Sequence, residues 1–220
     1  MNNTLIKVEN LVKTFGGLVA LNDCSLEIKD KAITGIIVPN GSGKTTLFNV
    51  ITGNLKPDTG KVFYNGVEIT NEESHDLFHL GVLRTFQIAH EFSNMTVIEN
   101  LMVVPGNQKG EKLLYSLMNN QQIKKEDEII RDKAMDVLKF LKIEHLKNER
   151  AGNLSGGQKK LLELARTMMV DAKIVFLDEV GAGVNKTLLK DISESILKLN
   201  QDKGYTSVSY THLRAHETSQ

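Results

Sequence analysis

Val38-Pro39-Asn40-Gly41-Ser42-Gly43-Lys44-Thr45-Thr46 follows the apolar, largely β-branched run Ala32-Ile33-Thr34-Gly35-Ile36-Ile37. A strand that empties through two glycines into a helix makes an anion site. Successive backbone N–H groups converge on the ligand, and the positive end of the helix dipole adds to them. Gly41 and Gly43 let the backbone approach a phosphate with no Cβ in the way. Lys44 supplies a positive charge between a β- and a γ-phosphate, the Thr45 hydroxyl suits Mg²⁺, and the Thr46 hydroxyl suits a phosphate oxygen. Asn40, Gly41, Ser42, Gly43, Lys44, Thr45 and Thr46 are therefore the candidate binding residues for ATP with Mg²⁺. One position departs from the G-x-x-x-x-G-K-[ST] pattern: Val38 stands where the first glycine belongs. A β-branched residue at positive φ would cost about 1–3 kcal/mol. Val38 precedes Pro39, however, and that position is already pushed to the extended region. Nucleotide binding is expected to survive.

Working outward, Leu5 to Val12 alternates apolar and polar residues and reads as a strand, as does Ser25 to Ile28. Ala32 to Val38 reads as a central strand buried on both faces. A helix is expected from Lys44 to about Gly53. Val62-Phe63-Tyr64 and Val67-Glu68-Ile69 flank Asn65-Gly66, a strong hairpin signal, and Val82 to Phe86 reads as a short strand. From Thr96 to about Arg150 the chain turns rich in Leu, Lys, Glu and Asn. Ile130, Ala134, Val137, Leu138 and Leu141 recur there at helical spacing, which predicts a helical subdomain inserted in an α/β core. Gly157 to Val170 reads as a helix and Lys173 to Asp178 as a buried strand. Thr187 to Asn200 reads as an amphipathic helix with Leu188, Leu189, Ile192, Ile196 and Leu199 inward.

The chain has 220 residues, enough for one domain with a subdomain. Its 27 basic and 27 acidic residues balance, which argues against a general nucleic-acid binder. A single cysteine, Cys24, forms no internal disulfide and fits a reducing setting. The sequence has no apolar run of about 18 residues, and Met1-Asn2-Asn3-Thr4 lacks a signal-peptide plan, so any membrane connection is expected through a partner.

Two further strings complete a set. Leu154-Ser155-Gly156-Gly157-Gln158 places a serine and two glycines at a helix start, a second anion site. Ile174-Val175-Phe176-Leu177-Asp178-Glu179 is an apolar strand ending in two carboxylates, where open α/β sheets place ligands. In this order and spacing, up to about residue 206, the three strings resemble the ATP-binding cassette (ABC), the P-loop ATPase subunit that drives membrane transporters.

That resemblance implies an α/β ATPase core, a small antiparallel β subdomain and a helical subdomain inserted at about 96–165. It implies that Asp178 holds Mg²⁺ through water and that Glu179 is the general base for the attacking water. Gln87, after Arg84-Thr85-Phe86, matches the glutamine that senses Mg²⁺ and contacts the transmembrane partner. Phe15 matches the aromatic residue that stacks on adenine. Ser155, Gly156, Gly157 and Gln158 would close over the γ-phosphate held by a second cassette, identical or paralogous. Gly181-Ala182-Gly183-Val184-Asn185 matches the loop that crosses that dimer interface, and Val180 replaces the usual proline after the glutamate.

Phe15-Gly16-Gly17-Leu18-Val19-Ala20-Leu21-Asn22, Arg84-Thr85-Phe86-Gln87, Met95-Thr96-Val97-Ile98-Glu99-Asn100-Leu101 and Ala182-Gly183-Val184-Asn185 look like the ATPases of branched-chain amino-acid importers, with urea importers similar. Such cassettes sit on two permeases at the cytoplasmic face of the membrane and depend on a solute-binding protein. Two rivals remain: a soluble ABC ATPase with no transport role, and a nucleotide-binding fragment with impaired hydrolysis. The C-terminus departs from the pattern. The family expects an apolar strand, a glutamate and a switch histidine, and the chain gives Ser207-Val208-Ser209-Tyr210-Thr211-His212. Val208 to Thr218 resembles one frame of a sequencing-library adapter, so residues 1–206 are expected to be the cassette, C-terminally truncated, and 207–220 a non-native tail. His212 falls near the switch-histidine spacing and is a candidate to bond the γ-phosphate.

Overall fold

In the computed structural model, which describes residues 3–39, 41–85, 91–106, 108, 120–170, 172–177 and 186–211, the chain folds as two units. The first takes Met1–Gln87, Ala172–Ala182 and Ile196–Gln220; the second takes Ile88–Asp171 and Gly183–Ser195. The first carries β1 (Thr4–Phe15), β2 (Leu18–Lys29), β3 (Ile33–Ile37), β4 (Thr59–Tyr64), β5 (Val67–Glu68), β6 (Val82–Arg84), β7 (Ile174–Leu177) and β8 (Thr206–Thr211). These make an antiparallel sheet in the order β2-β1-β4-β5 and a parallel sheet in the order β3-β8-β7-β6. The architecture is the α/β core with an antiparallel sheet and helical insertion that the motifs imply.

β1 and β2 run longer than the alternation suggests. Asn10 and Asp23 adopt positive φ and bond to each other, Asn10 Nδ2 donating to Asp23 Oδ1 at 2.6 Å. The pair kinks both strands at register shifts and interrupts the period of two. The β4–β5 hairpin turns at Asn65 (φ 49°) and Gly66 (φ 79°), the type the dipeptide demands. Helix α1 (Lys44–Ile51) follows β3 and packs Phe48 edge-to-face on Phe176 of β7, ring centroids 4.9 Å apart. One apolar core joins Ile6, Leu11 and Ile28 of the antiparallel sheet to Phe48, Phe176 and Val208. A short helix, α2 (Ser74–His79), went unread because Glu73 at its start makes no side-chain cap bond.

The expectation for Ala32 to Val38 needs correction. β3 stands at the end of the parallel order, paired to β8 on one side, with Ile33 43% and Ile37 60% exposed. Its apolar, β-branched composition suits an end strand as well as a central one. β7, by contrast, is buried along its whole length between β6 and β8.

Residues 206–211 form a strand despite the lost apolar run, and that strand lies inside the sheet, not at its edge. Thr206 is well served: its Oγ1 accepts from the Lys31 N–H at 2.8 Å and donates to Asp30 Oδ1 at 3.4 Å. The Ser207 hydroxyl, among the described residues, is buried with no hydrogen-bond partner. Orphaning a hydroxyl costs roughly 1–3 kcal/mol. Ser207→Ala should therefore stabilise the protein by about 1 kcal/mol in urea unfolding. A loss of stability would show that the hydroxyl has a partner.

The second unit is helical. Among the described residues it carries α3 (Val97–Met102), α4 (Asn120–Phe140) and α5 (Gly156–Met168). Ile130, Ala134, Val137, Leu138 and Leu141 are all buried, as their spacing predicts. α6 (Lys186–Lys203) spans the division between the units. Ile192 and Leu199 are buried on it, but Leu189, expected inward, is exposed; the Leu188 side chain lies outside the described residues.

Candidate functional site

All four strands of the parallel sheet leave it at the same edge. Ile37 of β3 is level with Thr211 of β8, Leu177 of β7 with Ser209, and Arg84 of β6 with Phe176. The segments that begin at this edge are the glycine loop after β3, the Arg84-Thr85-Phe86-Gln87 string after β6, Asp178-Glu179 after β7 and His212 after β8. The parallel topology thus starts all four of these segments from the edge where open α/β sheets place ligands. Asn40, Gln87, Asp178, Glu179, Val180, the 181–185 loop and His212 themselves lie outside the described residues.

The glycine loop is built as its sequence demands. Gly41 (φ 76°) and Gly43 (φ 82°) are left-handed, and Gly43 caps the start of α1. A Cβ on Gly43 would lie 2.1 Å from the Ala20 carbonyl oxygen of β2. Val38 does not take positive φ, in keeping with its place before proline. Lys44 is buried, and its Nζ donates to the carbonyls of Pro39 at 2.9 Å and Val38 at 3.3 Å, closing a ring around the loop. Ser42 and Thr45 are exposed and Thr46 is half-buried. Thr85 anchors the string after β6, its N–H donating to the Phe176 carbonyl at 2.9 Å, and Arg84 donates to Asn49 Oδ1 of α1. Phe15 ends β1 and is 49% exposed.

The second glycine string starts α5 with a reciprocal cap. Gln158 N–H donates to Ser155 Oγ at 3.4 Å, and Ser155 N–H donates to Gln158 Oε1 at 2.8 Å. The serine oxygen is engaged as an acceptor, while its own O–H can still donate to an anion. One residue on, Lys159 bonds Glu91 at 2.6 Å. Burial pushes the Glu91 carboxyl up, but bonds from Lys159, its own backbone N–H and Ser93 outweigh burial and hold it below the usual range.

Sequence reading missed three features here. Thr96-x-x-Glu99 is a capping box opening α3, legible from its spacing. Glu91 gave no signal, since its partner is 68 residues away. Asn100 is fully buried: its Nδ2 donates to the carbonyls of Phe92 (3.1 Å) and Thr96 (2.9 Å), and its Oδ1 accepts from the Phe92 N–H at 2.8 Å. Asn100→Ala should cost about 3 kcal/mol in denaturant unfolding by orphaning those groups; a cost under about 1 kcal/mol would mean water replaces them.

A family model described as "ABC transporter" matches residues 21–182, most of the chain. The chain belongs to the ABC transporter family. As an ABC cassette it binds nucleotide and hydrolyses ATP. It is 45% identical over 197 residues to the probable branched-chain amino acid transport ATP-binding protein LivG of Archaeoglobus fulgidus, covering 90% of this chain and 76% of that one. It resembles the ADP conformation of an ATP-binding cassette of an ABC transporter, with TM-score 0.79 and 42% identity over 95% of this chain and 81% of that chain. It also resembles a dimeric post-hydrolysis cassette bound to ADP and Pi, with TM-score 0.75 and 25% identity over 94% and 88% of the two chains. No helix of this ABC chain, among the described residues, is long and apolar enough to cross a membrane.

Proposed function

We propose that the chain is the ATP-hydrolysing subunit of an ABC importer for branched-chain amino acids. The observation that carries the solute class is the identity of 45% over 90% of this chain to a relative bearing that transport name. In this reading the N–H groups from Asn40 to Thr46 grip the triphosphate, Lys44 sits between its β- and γ-phosphates, and Phe15 stacks on adenine. Thr45, Gln87 and Asp178 would hold Mg²⁺. The exposed Thr45 hydroxyl beside Lys44, and strand ends that share one edge, suit such an ion. When bound, Mg²⁺ would draw charge from the phosphate oxygens. Glu179 takes the proton of the attacking water and His212 bonds the γ-phosphate. Ser155, Gly156, Gly157 and Gln158 close over the nucleotide of a second cassette, a pairing supported by the dimeric relative. Two permeases would hold the pair at the cytoplasmic face of the membrane, loaded by a solute-binding protein.

Reconstitution in liposomes with the permeases and binding protein encoded beside it tests this reading. Leucine with the binding protein should stimulate ATP hydrolysis and urea should not. Stimulation by urea alone would overturn the solute class, and the absence of neighbouring permease genes would favour a soluble ABC ATPase. The alternative of a cassette that binds ATP but hydrolyses it poorly draws on β8, where a buried, partnerless Ser207 hydroxyl precedes His212 by five residues. Residues 207–220 are proposed to be non-native; an uninterrupted natural gene encoding them at the source locus would end that idea.

A further inference from the structure

The Phe15 side chain stands half-exposed at the tip of the β1–β2 hairpin. Its neighbours Gly16 and Gly17 have nothing within 4 Å of where a side chain would start. Across the hairpin Phe15 pairs with Leu18 and Thr14 with Val19, and Asp58 braces Thr14 from outside that ladder. Asp58 Oδ2 accepts both the Thr14 N–H and the Thr14 Oγ1 hydroxyl, each at 2.7 Å. Asp58 Oδ1 accepts Lys13 Nζ at 2.7 Å. Lys13 Nζ in turn lies 5.8 Å from the centre of the Phe15 ring, over its face.

Asp58 is itself mounted firmly. Its N–H donates to the Val12 carbonyl at 2.9 Å. Two residues on, Gly60 (φ 95°) brings the chain so close to β1 that a Cβ would lie 2.5 Å from the Asn10 carbonyl oxygen. One carboxylate thus holds the Thr14 backbone N–H and hydroxyl and steadies a cation on one face of the ring, leaving the other face for a base. The bonds from Lys13 and Thr14 hold the Asp58 carboxyl down to about 2, so the clamp stays ionised throughout the neutral range.

We propose that Asp58 is a positioning residue for adenine recognition, acting through Thr14 and Lys13 to preset the Phe15 ring. This rests on the reading of Phe15 as the adenine platform. Base–aromatic stacking is worth a few- to hundredfold in affinity, and a preset ring retains more of it than a mobile one.

The test is a double-mutant cycle read by titration of ATP and, separately, of inorganic tripolyphosphate, which has no base. Phe15→Ala should raise the Kd for ATP roughly tenfold and leave tripolyphosphate unchanged. Asp58→Ala should raise the Kd for ATP roughly three- to fivefold, leave tripolyphosphate unchanged, and add nothing in the Phe15→Ala background. Asp58→Asn, which keeps an acceptor for Thr14, should recover part of the loss and serves where the alanine variant fails to fold. If Phe15→Ala leaves ATP affinity intact, the platform reading falls and the proposal with it. If Phe15→Ala weakens ATP but Asp58→Ala and Asp58→Asn do not, the platform stands and the positioning role is overturned. Equal loss of ATP and tripolyphosphate, or additive losses in the double variant, would also overturn it by showing a merely structural effect.

Discussion

Alanine at Gly43 should destabilise the protein by about 2–5 kcal/mol and abolish tight ATP binding. Two costs add. Holding an L-residue at φ 82° costs about 1–2 kcal/mol. A Cβ 2.1 Å from the Ala20 carbonyl oxygen forces β2 and the loop apart, an overpacking cost of about 1–3 kcal/mol. The obstructing atom is backbone, so no rotamer change relieves it. Gly41→Ala is the control: it meets the same strain at φ 76°, but nothing lies within 4 Å of its added carbon. It should cost about 1–2 kcal/mol. Urea unfolding and nucleotide titration of both variants check this, and equal effects would show that the close approach at Gly43 is unimportant.

Glu179→Gln should lower ATP hydrolysis by roughly 10²–10⁴ while leaving ATP binding near the parent value. The amide keeps the shape of the side chain but cannot accept a proton from water. Loss of hydrolysis without loss of affinity separates the base from a mere binding contact. If parent and variant hydrolyse ATP equally slowly while both bind it, the chain is a nucleotide-binding cassette and not a working ATPase. That outcome would turn attention to β8, where Ser207 and Ser209 stand in an interior strand.

The motifs were legible because each ties chemistry to local backbone. Gly41-Ser42-Gly43-Lys44 demands a strand before it and a helix after it, and both are there. Asn65-Gly66 demands a hairpin, and the periodicity of Ile130 to Leu141 demands a helix with one buried face. What stayed hidden depends on partners far along the chain. The place of β3 in its sheet is set by β8, more than 160 residues later. Asp58 reads as an ordinary turn aspartate after Pro57, and only folding brings it to Thr14. Glu91 reads as a surface charge until Lys159 of α5 meets it. Asn100 lies in a string that marks the family, yet nothing in the string shows that its side chain replaces backbone pairing for the turn before α3. Local chemistry announces itself in sequence, whereas tertiary positioning does not.

Calorimetric titration of the purified protein with Mg·ATP, run beside Lys44→Ala, bears most directly on whether the glycine loop grips a triphosphate. The parent should bind saturably at one ATP per chain, and the variant roughly ten- to hundredfold more weakly, as loss of a charge-assisted bond to phosphate requires. A parent that takes up no ATP, or a variant that binds it equally well, would contradict a phosphate loop centred on Lys44.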